Sequence, residues 1–221
     1  MSAPPVHRLF TLLLAAYGAQ RWWPARSAFA MMAGAVLVQN TAWTGAALAV
    51  RRLEEAGALH PAALRALEET WLWELIRPAG YFRVKAKRLR ALAEFLQGHG
   101  DDPERLFQQE LGALRRALLG VHGIGQETAD SILCYGAAQP IFVVDAYTRR
   151  LFHRLGWSSP QASYETLQSM VHHAMPPDAG PAAAEEFAEF HALIVRHAKR
   201  HCRARPLCIG CPVTFCPMHR P

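Results

Sequence analysis

Residues 118–136 read LLGVHGIGQETADSILCYG and place three glycines within six positions, between two helix-like segments. A glycine inside a helix costs about 1 kcal/mol relative to alanine, so the cluster marks an interruption. Gly120 stands where a helix would end, and Gly123 and Gly125 allow positive φ and leave no side chain in the way. A new helix is predicted from about Gln126, and its unpaired backbone N–H groups favour anions such as phosphate. A tight turn between two packed helices is the alternative.

The 221-residue chain is 51% apolar and 19% charged, with a net charge of +6. This composition is typical of a folded protein with a sizeable core and argues against wholesale disorder. The positive balance favours a polyanionic partner. No stretch reaches the ~18 consecutive apolar residues of a membrane span. Residues 7–20 have the short apolar run of a secretory signal, but we interpret them as an amphipathic first helix.

Helical periodicity dominates the remainder and predicts an all-α protein of about nine or ten helices. Predicted helices after the first are residues 26–39, 44–55, 60–70, 83–100, 102–120, 126–136, 145–156 and 180–202. In the helix over 102–120, Asp102 is the expected N-cap and Gly120 the C-cap. The only strand-like run, Ile141–Val144, has no visible partner.

Four of the five cysteines crowd near the C-terminus, which favours a metal centre over a disulfide framework. They are Cys202, Cys208, Cys211 and Cys216, spaced C-x5-C-x2-C-x4-C. Thiolates so spaced can surround either a 4Fe-4S cluster or a tetrahedral zinc ion. The spacing alone does not separate these two centres.

Residues 118–133 resemble the helix-hairpin-helix (HhH) motif, and VVDAYTRRLFHRLG (143–156) resembles the segment that follows it in the HhH-GPD superfamily of DNA glycosylases, endonuclease III group. Further stretches resemble the same group. They are GAVLVQNTAW (34–43), IRPAGYFRVKAKRLRAL (76–92) and EFHALIVRHAKRHC (189–202), the last leading into the cysteines. The resemblance covers most of residues 22–216.

The resemblance implies two helical lobes with a DNA cleft between them. A six-helix barrel with the hairpin would span residues 29–135, and residues 1–28 with 136–221 would form the second lobe. It also implies that the cysteine loop holds a 4Fe-4S cluster. The expected partner is double-stranded DNA with a damaged base, bound by a monomer without membrane attachment, in the cytoplasm at the bacterial nucleoid.

Asp145 stands where the superfamily has its aspartate, directly after four apolar residues. An ordinary helix N-cap is the alternative role for such a residue. Because breaking an N-glycosidic bond builds positive charge on the sugar, a nearby carboxylate stabilises that charge, and we predict Asp145 to be catalytic. Bifunctional relatives have a lysine where this chain has Glu127, and glutamate forms no Schiff base. The expected reaction is hydrolytic base release without strand cleavage.

The stretch Trp22-Trp23-Pro24 resembles the 3-methyladenine DNA glycosylases of the endonuclease III group, in which a tryptophan pair lines the base pocket. An aromatic floor attracts a flipped, cationic alkylated purine. The predicted pocket consists of Trp22, Trp23, Pro24, Trp43 and Glu127. Gln39 is expected to fill the gap left by the flipped base and Tyr81 to wedge the duplex. The other predicted DNA contacts are Gly123, Ile124, Gly125, Gln126 and Thr128.

Three other functions fit parts of the sequence. One is a glycosylase for oxidised pyrimidines or mismatched bases, which shares the same chemistry. Another is a non-catalytic HhH protein that binds DNA, and the last is a redox sensor in which the metal cluster is the functional part. Base release from a panel of damaged DNA separates these alternatives.

Overall fold

The computed structural model describes residues 4–23, 25–176 and 181–219, and within these ranges the protein is helical and contains no β-strand. The first six helices are α1 (Val6–Tyr17), α2 (Ala28–Leu37), α3 (Trp43–Glu55), α4 (Pro61–Ala66), α5 (Glu69–Ile76) and α6 (Phe82–Gln97). The others are α7 (Pro103–Phe107), α8 (Leu111–Leu119), α9 (Gln126–Ser131), α10 (Ala146–Arg154), α11 (Tyr164–Ala174) and α12 (Pro181–Arg200). The predicted all-α class is confirmed.

The helices belong to two units. The central unit runs from Trp23 to Ala137, and the terminal unit takes the chain up to Trp22 and from Ala138 onward. The boundaries expected from the sequence were 28/29 and 135/136. Among the described residues, this central unit contains eight α-helices, of which α4 has six residues and α7 five.

Helix α2 forms the core of the central unit. Every residue from Phe29 to Leu37 is buried, and α2 contacts α3, α6, α7 and α9. A helix that is apolar on all sides needs neighbours on all sides. Each large apolar side chain buried in this way contributes about 1.5–3 kcal/mol.

Helix α3 lies directly on a short 3₁₀ turn, Arg77–Ala79, that leads into Gly80 and Tyr81. A Cβ atom at Gly45 of α3 would lie only 2.4 Å from the carbonyl oxygen of Pro78. This position accepts only glycine unless the turn moves away. Gly45 therefore sets how closely α3 approaches the turn.

The single helix predicted over 102–120 is wrong, because the chain forms two helices there. Asp102 does cap α7, but α7 ends at Phe107 and α8 begins at Leu111. The Glu110 carboxylate accepts hydrogen bonds from the backbone N–H groups of Gly112 (2.8 Å) and Ala113 (3.0 Å). A carboxylate in this position is a helix N-cap, which explains the break.

Helix α12 is the centre of the terminal unit and packs against α1 and α10. Val6, Leu9 and Leu13 form the buried face of α1, which is the amphipathic first helix expected from the sequence. Phe190 of α12 contacts Phe10 edge-on, with ring centroids 5.6 Å apart. Within the described ranges, no helix is long and apolar enough to cross a membrane.

The strand-like run Ile141–Val144 is buried and has no strand partner among the described residues. Side chains of α11 replace a neighbouring strand. The Phe142 N–H donates to His172 Nε2 (3.0 Å), the Phe142 carbonyl accepts from Gln168 Nε2 (2.7 Å), and the Val144 N–H donates to Tyr164 Oη (3.2 Å). These bonds satisfy buried backbone groups without a sheet. They also fix the segment that leads into Asp145.

Candidate functional site

The hairpin of the central unit joins α8 to α9 as predicted, but its glycines differ in what they do. Gly123 has φ +82°, and a Cβ there would lie 2.3 Å from Arg88 Cγ, so both backbone and packing require glycine. Gly125 caps α9 with an extended φ of −93°, and a Cβ there would meet nothing within 4 Å. Gly125 therefore does not use the positive φ that glycine allows. Its missing side chain leaves the start of α9 open from outside.

An ion pair fixes the two hairpin helices to each other. Arg115 Nε of α8 lies 2.7 Å from Asp130 Oδ1 of α9, and a second bond to Oδ2 is 3.1 Å long. The Asp130 side chain is fully buried. Removing one partner of a buried pair costs about 3–5 kcal/mol, because a charge is left uncompensated.

Gln39, expected to fill the gap in DNA, is bonded to the hairpin. Its Nε2 donates to the carbonyl of Gly123 (3.1 Å) and to Thr128 Oγ1 (2.8 Å). Arg88 donates to the Gln39 Oε1 atom. Thr128, a predicted DNA contact, is buried in this network. The structure therefore assigns Gln39 and Thr128 a bracing contact between the end of α2 and the hairpin.

The remaining hairpin residues divide by exposure. Ile124 is buried beneath the turn, whereas Glu127 is exposed in the first turn of α9 and Gln126 is half-buried. A glutamate at this end of a helix is favourable with the helix dipole. Ile124 thus supports the turn from inside, and the first turn of α9 faces solvent.

Tyr81, the predicted wedge, is 72% exposed and has a left-handed backbone with φ +45° at the start of α6. Lys85, one turn later, is only 2% exposed. Its Nζ donates to the carbonyls of Leu37 (2.8 Å) and Ala79 (2.7 Å). Burial, with a smaller effect of Arg88, lowers the pKa of Lys85 to about 8. Lys85 thereby ties the end of α2 to the turn that carries Tyr81.

Asp145 of the terminal unit is both an N-cap and a carboxylate with a second partner. Its Oδ1 accepts the N–H of Thr148 (2.7 Å), and its Oδ2 lies 3.4 Å from His191 Nε2. The side chain retains about 10% exposure. Burial alone would raise the pKa of Asp145, but the hydrogen bond and charge of His191 and the Thr148 N–H hold it below its usual value. The carboxylate is thus anionic at neutral pH.

The predicted pocket aromatics fall in both units. Trp22, in the terminal unit, has its ring 5.7 Å from His191, with a 34° angle between planes. Trp23, in the central unit, lies 5.0 Å from Trp43 and 5.2 Å from Tyr135. Pro24 lies outside the described residues.

The four C-terminal cysteines line one cavity of about 560 Å³. Arg154, at the end of α10, donates to Cys202 Sγ (3.2 Å) and to the carbonyl of Arg203 (2.6 Å). Burial raises the pKa of Cys211, and the charges of the other three thiolates raise it further. Among the described residues, no group of three or more His, Cys, Asp or Glu side chains is placed to hold a metal ion.

Sequence reasoning missed several residues of these sites. His191, Lys85 and Arg88 each have a polar partner 46 or more positions away along the chain. In addition, the sequence does not distinguish a buried cation such as Lys85 from a cation on the surface. The apolar neighbours of His191 were the one available signal. A histidine within an apolar helix face needs a polar partner, and Asp145 is that partner.

The chain is similar to DNA repair glycosylases in sequence and structure. Residues 33–177 match the model of the HhH-GPD superfamily of base excision DNA repair proteins. A candidate DNA repair glycosylase of Methanocaldococcus jannaschii is 38% identical over 214 residues, covering 96% of this chain and 95% of that protein. Endonuclease III of Sulfolobus acidocaldarius is 26% identical over 192 residues, covering 85% and 80%.

Solved structures agree. The 3-methyladenine DNA glycosylase MagIII of H. pylori, bound to 1,N6-ethenoadenine, has a TM-score of 0.75 and 28% identity, over 89% of this chain and 97% of that chain. A trapped endonuclease III–DNA covalent intermediate has a TM-score of 0.82 and 20% identity, covering 98% and 96%, which shows the shared fold. The chain therefore belongs to the HhH-GPD superfamily of base excision DNA repair proteins, as an endonuclease III-like DNA glycosylase.

Proposed function

We propose that the protein is a monofunctional DNA N-glycosylase that removes a flipped, alkylated purine and uses Asp145 as its catalytic carboxylate. The observation that carries the proposal is the state of Asp145, which is nearly buried, accepts the N–H of Thr148 and is held anionic beside His191. An anion in a low-dielectric setting stabilises developing positive charge more strongly than one in water. As the N-glycosidic bond lengthens, Asp145 would stabilise the sugar cation and orient the attacking water.

The hairpin supplies a site for the DNA backbone. Helix α9 starts at Gln126 after the cap residue Gly125, where a Cβ atom would meet nothing within 4 Å, and we propose that a phosphate binds the first backbone amides of this helix. Backbone N–H contacts of this type position a duplex without reading its sequence. Tyr81 is exposed and itself has a left-handed backbone. Its ring is suited to stack into the gap at the damaged base pair.

The absence of a lysine at position 127 supports hydrolysis without strand cleavage. A lyase step needs an amine that adds to C1′ of the sugar, and the exposed side chain at this position is a carboxylate. Lys85 is unsuited to that role, because both of its bonds go to buried carbonyls within the central unit.

A cationic, alkylated purine is the base that the aromatic residues favour. Trp22 is half-buried, and Trp23 forms a cluster with Trp43 and Tyr135. Aromatic faces attract cationic rings, and an alkylated purine leaves readily because its bond is already weakened. The similarity to MagIII, a 3-methyladenine DNA glycosylase bound to 1,N6-ethenoadenine, points the same way. The endonuclease III relatives keep oxidised pyrimidines as a second candidate substrate class.

The four C-terminal cysteines line one cavity of about 560 Å³, and this shared lining supports a metal centre at the place where the family resemblance implies an iron–sulfur cluster. Cys202, Cys208, Cys211 and Cys216 would hold a 4Fe-4S cluster, which would cross-link the C-terminal segment and supply folding energy. Iron and sulfide analysis, with visible absorbance that bleaches on reduction, separates this cluster from zinc.

A panel of duplexes tests the function. Duplexes with a methylated purine, 1,N6-ethenoadenine, thymine glycol or a mismatch are scored separately for base release and strand cleavage. We expect release of the alkylated purines only, without cleavage. In Asp145→Asn, release should fall at least about 100-fold, while DNA affinity stays unchanged and the cap of α10 is kept, because asparagine is an equally good N-cap. Full activity of this variant, or no release by the wild type on any duplex, would overturn the proposal.

A further inference from the structure

Helix α12 carries two polar side chains that reach residues of the candidate active site within the terminal unit. Glu189 and His191 are two positions apart. Neither side chain was identified from the sequence, and the chemistry proposed above uses only the effect of His191 on the charge of Asp145. Their contacts nevertheless lead to Trp22 and to Asp145, respectively.

The Glu189 carboxylate holds the backbone just before Trp22. Its Oε1 accepts the N–H of Gln20, and its Oε2 accepts the N–H of Arg21 at 3.0 Å. Arg21 has a left-handed backbone with φ +45°, which is rare for a residue with a side chain. Successive N–H groups converge on an anion in such a conformation. Glu189 therefore stabilises the backbone turn from which Trp22 projects.

His191 lies between Trp22 and Asp145. Its Nε2 is 3.4 Å from Asp145 Oδ2, and its ring is 5.7 Å from the ring of Trp22 at an interplanar angle of 34°. The His191 side chain is buried, with about 6% exposure. A buried imidazole in contact with both groups cannot move without moving one of them.

We propose that Glu189 and His191 are positioning residues that fix Trp22 and Asp145 relative to each other, with Glu189 acting through the backbone and His191 through its ring and its Nε2. This inference rests on the proposed function, because it assumes that Trp22 contacts the base and that Asp145 acts on the sugar. Under it, the two faces of His191 serve different steps. The ring supports base binding, and the Nε2 group supports bond cleavage.

Two substitutions of His191 separate the two roles. His191→Phe keeps an aromatic ring against Trp22 and removes the group that faces Asp145. His191→Gln keeps an amide donor in the place of Nε2 and removes the ring. We expect H191F to lower kcat for base release about 100-fold, as misplaced catalytic groups do, with KM nearly unchanged. We expect H191Q to raise KM about tenfold, as loss of support for a stacking residue does, with kcat nearly unchanged.

The pKa of Asp145 provides a readout that does not depend on activity. His191 is the titratable group that holds this pKa low, and burial without it would raise the pKa. In protein with ¹³C-labelled aspartate carboxyls, with its cluster intact, the Asp145 signal should titrate at a higher pH in H191F than in wild type or H191Q. Asp145→Asn identifies the signal. The acid limb of the activity profile should move upward in the same variant.

Glu189→Gln tests the backbone contact, and Glu185→Gln, an exposed residue of the same helix, is the matched control. E189Q should raise KM and alter the Trp22 fluorescence, measured as the difference from Trp22→Phe, and E185Q should do neither. Equal losses in H191F and H191Q, or an unmoved Asp145 titration in H191F, would overturn the inference. If wild type releases no base while the titration shifts as expected, the positioning stands and the proposed function fails.

Discussion

Gln39 Nε2 lies 2.8 Å from Thr128 Oγ1, and this hydrogen bond joins the segment after α2 to the first turn of α9. Gln39 also donates to Gly123, so one side chain contacts both ends of the turn. Replacing Thr128 with valine keeps the shape and removes the acceptor. We expect a loss of about 1 kcal/mol in unfolding free energy and weaker binding to undamaged duplex, measured by urea titration and fluorescence anisotropy. Thr44→Val, on the exposed face of α3, should change neither quantity.

Lys85→Met should destabilise the protein because two buried carbonyls, those of Leu37 and Ala79, lose their donor. Each buried group left unpaired costs about 1–3 kcal/mol. Lys87→Met, two residues further along the same helix and exposed, is the control, and its stability should stay near that of the wild type. Equal stability of the two variants in urea would show that Lys85 contributes nothing.

Lys85 also predicts a pH dependence of stability. Its folded-state pKa is lowered from 10.5 to about 8, so between these values the unfolded chain binds more protons than the folded one. Stability from this group therefore rises with pH across that window. The difference in unfolding free energy between wild type and Lys85→Met should grow in favour of wild type from pH 8 to pH 10. A difference that is constant or shrinks over this range would contradict the assignment.

Replacing the two hairpin glycines with alanine should affect the stability of the fold at one position and not at the other. Gly123→Ala meets Arg88 and has a left-handed backbone, so it should destabilise the fold by more than about 1 kcal/mol. Gly125→Ala has open space and an extended φ, so its stability should be unchanged. Its methyl group, however, would stand where we propose a phosphate. Thermal unfolding and duplex affinity together check this, and tight DNA binding by G125A would argue against a phosphate at α9.

Glu127→Lys should introduce a lyase step if position 127 reaches the sugar. The new amine could then form a Schiff base, which borohydride traps as a covalent protein–DNA adduct. The wild type and Glu127→Gln should give no adduct. Because Glu127 is exposed in the first turn of α9, the substitution should leave the fold intact. Trapping by the wild type would show that another amine acts and that the enzyme is bifunctional.

Local patterns were sufficient for much of the fold. The hairpin, the buried helix α2 and the cap at Asp145 each depend on residues close together in sequence, where caps and periodicity act. The break between α7 and α8 was missed because a glutamate N-cap resembles an ordinary exposed residue. The run Ile141–Val144 has the composition of a strand, but its partners are side chains of α11, which no periodicity reveals.

The site was less accessible to sequence reasoning for the same physical reason. Asp145 and Tyr81 are marked by their local setting, whereas their supports come from distant helices. His191 reaches Asp145 across 46 positions and Arg88 reaches Gln39 across 49. Gln39 shows the limit most clearly, because its residue type favours a contact with DNA but does not reveal its bonds to Gly123 and Thr128.

Gly45 leaves no gap between α3 and the carbonyl of Pro78. Helix α3 therefore supports the turn before Tyr81, and this turn cannot move closer to α3. If Tyr81 enters the base stack as we propose, this support would keep its ring from being pushed back toward α3. The turn is held closely because Gly45 has no side chain, and even a methyl group at position 45 would push the turn and α3 apart.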